Sequence, residues 1–215
     1  MKEEKEIAGE EQKQENIDSE LNEHKDSRDD TKASEHGEIL NDQLEEGKKV
    51  YDYSNRSILL CAFTAGLEIG FSFLLMCTVY TFLDGKIAED SIFKLMTFVY
   101  PAGFILIILG RSLLFTEQTS LLTLPVLNKK QSISKLLKLW GLVIIGNLIG
   151  GWLISALLIW IGPALGIFNL IAVEKIADHV TSFPPQVILV SAILAGWLMG
   201  LLSWLLSSAQ DTVSR

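Results

Sequence analysis

The sequence predicts an all-α membrane protein with an acidic extension at one end. Three observations carry that reading. The 215 residues change character abruptly near Tyr53, from charged to apolar. From Arg56 onward, long runs free of charge are each sufficient to cross a hydrocarbon core of ~30 Å, which takes ~20 apolar residues per helix. Lysine and arginine collect in some short connections and not in others, the asymmetry that orients spanning helices. Four such runs exceed what a soluble helical domain of this size buries.

Residues 1–53 are almost all charged or polar, with acids well ahead of bases, and they dominate the net charge of −8. Such a stretch buries too little apolar surface to offset its ordering entropy, so disorder is expected. No basic patch exists to hold nucleic acid. The transmembrane domain is expected over residues 54–215. Its first span is "SILLCAFTAGLEIGFSFLLMCTVYTFL", residues 57–83, and it serves as its own insertion signal because the long acidic extension is unlike a secretory n-region. Both cysteines, Cys61 and Cys77, lie within it. Two thiols on one helix are expected to stay unpaired, and no metal motif and no cofactor site is recognisable.

The second apolar region, residues 91–127, is too long for one ordinary span. Its middle reads "GRSLLFTEQT". Irregular backbone at membrane depth survives only inside protein or beside water. A helix broken near 110–119 explains both length and polarity, and a kinked continuous helix is the alternative. The third and fourth spans are expected at 139–162 and 186–208. Lys48, Lys49 and Arg56 precede the first span, and Lys129, Lys130, Lys135 and Lys138 lie between the second and third. The loops after the first span and before the fourth are net acidic. Both ends of the chain are therefore expected at the cytoplasmic face of a cell membrane, inner or plasma.

Ala62, Ala65, Gly66 and Gly70 of the first span recur as Ala192, Ala195, Gly196 and Gly200 of the fourth, with identical spacing. The match is either coincidence or the trace of an inverted repeat, since the two spans enter from opposite faces. In either case small-x-x-x-small faces permit close helix packing. On the repeat reading, the chain ends after the fourth of six spans. Glu68, Arg111 and Glu117 are ionisable groups at membrane depth, where an unpaired charge costs a few kcal/mol. A Glu68–Arg111 or Glu117–Arg111 pair is expected, with a direct role in binding or gating as the alternative. An arginine beside a path would favour anions.

The runs "YPAGFILIILGRSLLFTEQT", "KLWGLVIIGNLIGG", "TAGLEIGFSF" and "ILAGWLMGLLSW" together resemble the formate/nitrite transporter family, in order and spacing, over roughly Ser54 to Asp211. The "FTE" variant suggests a divergent branch. The resemblance implies an aquaporin-like bundle, an incomplete inverted repeat in this chain, a homopentamer in the lipid membrane, and passage of small monovalent anions. It implies that Tyr100 and Phe104 form the cytoplasmic constriction, that Leu114 narrows the path on the loop, and that Thr116 contacts the anion. Core packing is the other reading of each. Two positions depart from the family pattern: Arg111 stands where a glycine is frequent, and Gly196 where an asparagine is frequent. No histidine falls within a span, and His179 is placed in an external loop. The competing expectation is a truncated, non-transporting membrane protein or an interaction partner of full-length homologues. An enzyme is disfavoured, because the spans hold no paired aspartates, no Ser–Lys or Ser–His pair, and no His–Glu metal motif.

Overall fold

A computed structural model describes residues 37–213, and within them the chain is helical with no strand. The expected disorder of residues 1–36 lies outside the described residues. Residues 37–51 form a first helix, α1, where the sequence reading had extended the tail to residue 53. The reason is a short apolar stripe that the surrounding charges mask. Leu44, Gly47, Val50 and Tyr51 recur at helical spacing, Val50 and Gly47 are buried, and the Tyr51 hydroxyl donates to the Leu122 carbonyl at 2.8 Å. Burial pushes the Tyr51 phenol above its ordinary range.

The remaining helices are α2 (Asn55–Leu83), α3 (Glu89–Met96), α4 (Ala102–Gly110), α5 (Phe115–Leu127), α6 (Ile133–Ala164), α7 (Leu170–Thr181) and α8 (Pro185–Val213). Three helices, α2, α6 and α8, are long and apolar enough to span a membrane, and α4 with α5 is an equally apolar pair bent by 43° at a short break, the geometry of a broken span or a re-entrant loop. The chain is thus an all-α, multi-pass membrane protein. Helices α2, α6 and α8 cover the stretches expected as first, third and fourth spans, α6 starting at Ile133 and not at 139, and the α4–α5 pair covers the stretch expected as a broken second span.

α2 is the hub, packed against α6, α4, α3 and α7. Its contact with α6 is made through glycine. A Cβ on Gly66 would strike the Asn147 carbonyl oxygen, one on Gly150 would strike the Phe63 carbonyl oxygen, and one on Gly146 would lie 2.6 Å from Ala62 Cβ. The two backbones therefore touch, as small-residue faces allow. Around this seam Ile58, Ala62, Leu113, Leu122, Leu136, Leu139 and Val143 form one apolar core with Val50 of α1. A second core, at the other end of α2, joins Cys77, Tyr80, Ile92, Met96, Phe168, Ala172 and Ile176. Cys61 and Cys77 are both free thiols.

α7 occupies the stretch read from sequence as an external loop. Asn169 caps it by accepting the Ala172 N–H at 2.9 Å. It is tied to α3 by Lys175 and Glu89 at 3.1 Å, and the Tyr80 hydroxyl donates to the same carboxylate at 3.0 Å. The Lys175 ammonium first, and then the Tyr80 hydroxyl, hold the Glu89 carboxyl below its usual range, and Glu89 raises the Lys175 ammonium above its own. His179 stacks on Phe93, with ring centroids 3.9 Å apart.

Candidate functional site: the broken second span

α4 is a run of apolar residues that would continue as helix if composition alone decided. It stops because the backbone turns left-handed at Arg111, with φ 52° and ψ 36°. The Ser112 N–H then reaches back to the Ile107 carbonyl at 3.1 Å, and the Arg111 N–H to the Ile108 carbonyl at 3.3 Å. That pair of bonds is the Schellman closure, in which glycine usually takes the left-handed position. The break spans only residues 111–114, shorter than the loop expected over 110–119. Phe115, Thr116, Glu117 and Gln118 form the first turn of α5 instead.

Leu114 is the N-cap of α5 and offers no side-chain acceptor. The missing cap comes from another helix. Asn147, near the middle of α6, accepts the Phe115 N–H at 2.8 Å through its side-chain oxygen. Its amide nitrogen donates to the Leu113 carbonyl at 2.9 Å and to the Ala62 carbonyl at 2.8 Å. These partners fix the amide's orientation, since only its oxygen can accept and only its nitrogen can donate. One side chain thus joins α2, the break and α5. Its place in "GNLIGG" was part of the sequence resemblance, but its clamping role was not foreseen, because no local pattern announces a cap supplied from a distant helix.

Leu113 and Phe115 anchor the break. Leu113 is buried in the α2–α6 core, and the Phe115 ring meets Trp140 edge-on with centroids 6.0 Å apart. Leu114 between them is half-buried, and Thr116 is exposed with no partner for its hydroxyl among the described residues. Leu114 and Thr116 are therefore brought to one place, beside the unpaired amides of the first turn of α5.

Tyr100 and Phe104 also pair, with ring centroids 5.6 Å apart, but at the other end of α4. At 1.5 Å per residue they stand on the order of 15 Å from Leu114. The predicted site is thus two layers and not one cluster. The Tyr100 layer is level with Ser72 of α2, whereas the break is level with Cys61, whose carbonyl accepts the Leu113 N–H at 3.4 Å. Tyr100 and Phe104 therefore occupy the half of the bundle away from α1. The resemblance placed this pair on the cytoplasmic side, and that is incompatible with the orientation drawn from the lysines.

The expected ion pair does not form. Among the described residues, Arg111 is paired with neither Glu68 nor Glu117, and its side chain is exposed. Glu68 lies along α4, with Oε1 only 2.8 Å from where a Cβ on Gly110 would be, and its Oε2 is buried without a partner. Glu117 is half-buried in the first turn of α5. Arg111 is the left-handed residue that closes α4 and its side chain is exposed, whereas Glu68 lies in the α2–α4 contact. No cluster of metal-ligating side chains occurs among the described residues.

The chain is thus a multi-pass helical membrane protein in which a bent pair of half-helices is clamped by an asparagine of a neighbouring helix. The family model described as formate/nitrite transporter matches residues 37–215. The chain belongs to that family, which is one of transporters and not of enzymes. It is 31% identical over 170 residues to the inner membrane protein YfdC of Escherichia coli (strain K12), covering 77% of this chain and 53% of that protein. It is 29% identical over 185 residues to the uncharacterized transporter YrhG of Bacillus subtilis (strain 168), covering 83% of this chain and 67% of the relative. The chain thus spans about half the length of the first of these relatives and two thirds of the second.

Proposed function

We propose that this chain is a subunit of a membrane channel or transporter for small monovalent anions of the formate or nitrite type. The observation that carries the reading is the break itself. The N-terminal turn of α5 lies at membrane depth beside an exposed Thr116 hydroxyl, with Leu114 next to it. A helix N-terminus presents unpaired N–H groups and a partial positive charge, which favours an anion. Leu114 supplies an apolar narrowing, and the aromatic pair Tyr100–Phe104 a second one. The lysines of the α5–α6 connection put that connection and α1 at the cytoplasmic face, so the aromatic layer faces outward. The protein assembles as a homopentamer within the lipid membrane, with a path in each subunit.

A second reading is favoured by one feature. α8 is largely exposed, and Gly196 and Gly200 have no atom within 4 Å of a would-be Cβ. On that reading the chain is a non-transporting partner that works beside full-length homologues. Flux into proteoliposomes separates the two. Formate and nitrite should enter faster than into protein-free vesicles while sulfate stays out, and Thr116→Val should slow entry about tenfold, the loss of one hydrogen bond to a charged group. Flux equal to that of protein-free vesicles, regained only with a homologue present, would establish the partner reading instead.

A further inference from the structure

We propose that Ser72 of α2 is a positioning residue that sets the spacing of the aromatic layer formed by Tyr100 and Phe104. The inference deepens the proposed transport function and rests on it for its selectivity readout.

Hydroxyls in apolar helices ordinarily bond back to their own backbone one turn earlier. Two others on α2 do so: Thr64 donates to Leu60 at 3.0 Å and Thr78 to Leu74 at 2.7 Å. Ser72 does not. Its hydroxyl leaves α2, donates to the Tyr100 carbonyl at 2.5 Å and accepts the Gly103 N–H at 2.8 Å. Ser72 is 2% exposed and Gly103 is buried, so the Gly103 N–H has no water as a substitute.

The two bonded groups bracket Pro101, where α3 gives way to α4. Proline donates no hydrogen bond, and α4 begins with no side-chain cap of its own. Ser72 supplies that cap from α2. The contact also leaves no freedom to slide. A Cβ at Gly103 would sit 2.7 Å from the Ser72 hydroxyl and 2.9 Å from both the Glu68 carbonyl oxygen and Ile69 Cα. Tyr100 carries one of the bonded groups itself, and Phe104 follows the residue that carries the other. Any change in this bond therefore displaces both rings.

The test uses the full chain with Cys61 and Cys77 replaced by alanine and a single cysteine introduced by Tyr100→Cys. In proteoliposomes, Ser72→Ala should change the reaction rate of that thiol with a small charged reagent about tenfold, the scale of one lost buried bond. A thiol introduced by Thr116→Cys should keep its rate. Without the introduced cysteine, Ser72→Ala should raise acetate flux relative to formate flux by a similar factor. Ser72→Thr retains the hydroxyl and should match the parent, while Ser72→Val, the shape of threonine without its hydroxyl, should behave as alanine. If alanine prevents folding, the threonine and valine pair carries the comparison. An unchanged thiol rate at position 100 in folded Ser72→Ala or Ser72→Val protein would overturn the proposal. Absence of anion flux in the parent would sink the transport reading, and the thiol rates would still decide the role of Ser72.

Discussion

Arg111 and Lys129 share an unusual backbone. Both are non-glycine residues with positive φ, 52° and 57°, and both close a helix end. After α5, the Lys129 N–H bonds the Val126 carbonyl and the Lys130 N–H the Pro125 carbonyl, the same closure that ends α4. α6 ends in the same way, but with Gly166 at φ 68° in the left-handed position. A left-handed residue with a side chain costs about 1–2 kcal/mol, and glycine escapes that cost. Because the Arg111 side chain is exposed and unpaired, nothing offsets the strain within the described residues. Arg111→Gly should therefore stabilise the chain by about 1 kcal/mol in a denaturation experiment, and a loss of stability would mean that the guanidinium has a partner in the assembled protein. Sequence reasoning saw Arg111 as a buried charge needing an acid, because depth along a span can be counted from residues while the direction of a side chain after a left-handed turn cannot.

At the scale of elements, what could be read in advance was whatever the local sequence supports by itself. Ser54, Ser132 and Asn169 each cap the helix that follows them, with Ser54 and Ser132 accepting the N–H groups of Ser57 and Lys135. Spans α2, α6 and α8 follow from apolar length. The half-helices α4 and α5 are different, because their caps come from Ser72 of α2 and Asn147 of α6. The break could be anticipated from excess length and polarity, but its extent and its clamps depend on partners 31 and 32 residues away. α1 and α7 were missed because charged residues interrupt their short apolar stripes. The glycine seam gives a direct test of element packing. Gly66→Ala sets a methyl against the α6 backbone and should destabilise by about 1–3 kcal/mol, as overpacking does. Gly200→Ala, on the matching face of α8, meets open space and should change stability little. Equal losses at the two positions, measured by thermal melting in detergent, would show that α8 is packed as tightly as α2.

For the whole molecule, that contrast qualifies the internal repeat. Ala62, Ala65, Gly66 and Gly70 are all buried, whereas Ala192, Ala195 and Gly196 are exposed, so the same spacing serves a formed interface in α2 and an open face in α8. Family membership and the long apolar helices were both legible in the chain. The candidate site was legible as a set of residues but not as an arrangement, since Tyr100 and Phe104 proved to lie one half-helix away from Leu114 and Thr116. The central claim is that the second span is interrupted at residues 111–114 and that the interruption faces an anion path. Thiol reactivity in membranes tests it most directly, using single cysteines at Ile107, Leu113, Leu114, Thr116 and Gln118 and a small charged reagent. The account predicts reaction at Leu114 and Thr116, slowed by formate or nitrite, and protection at Ile107, Leu113 and Gln118, which are buried. An unbroken helical periodicity of reactivity from Ile107 to Gln118, or uniform protection across all five positions, would contradict it.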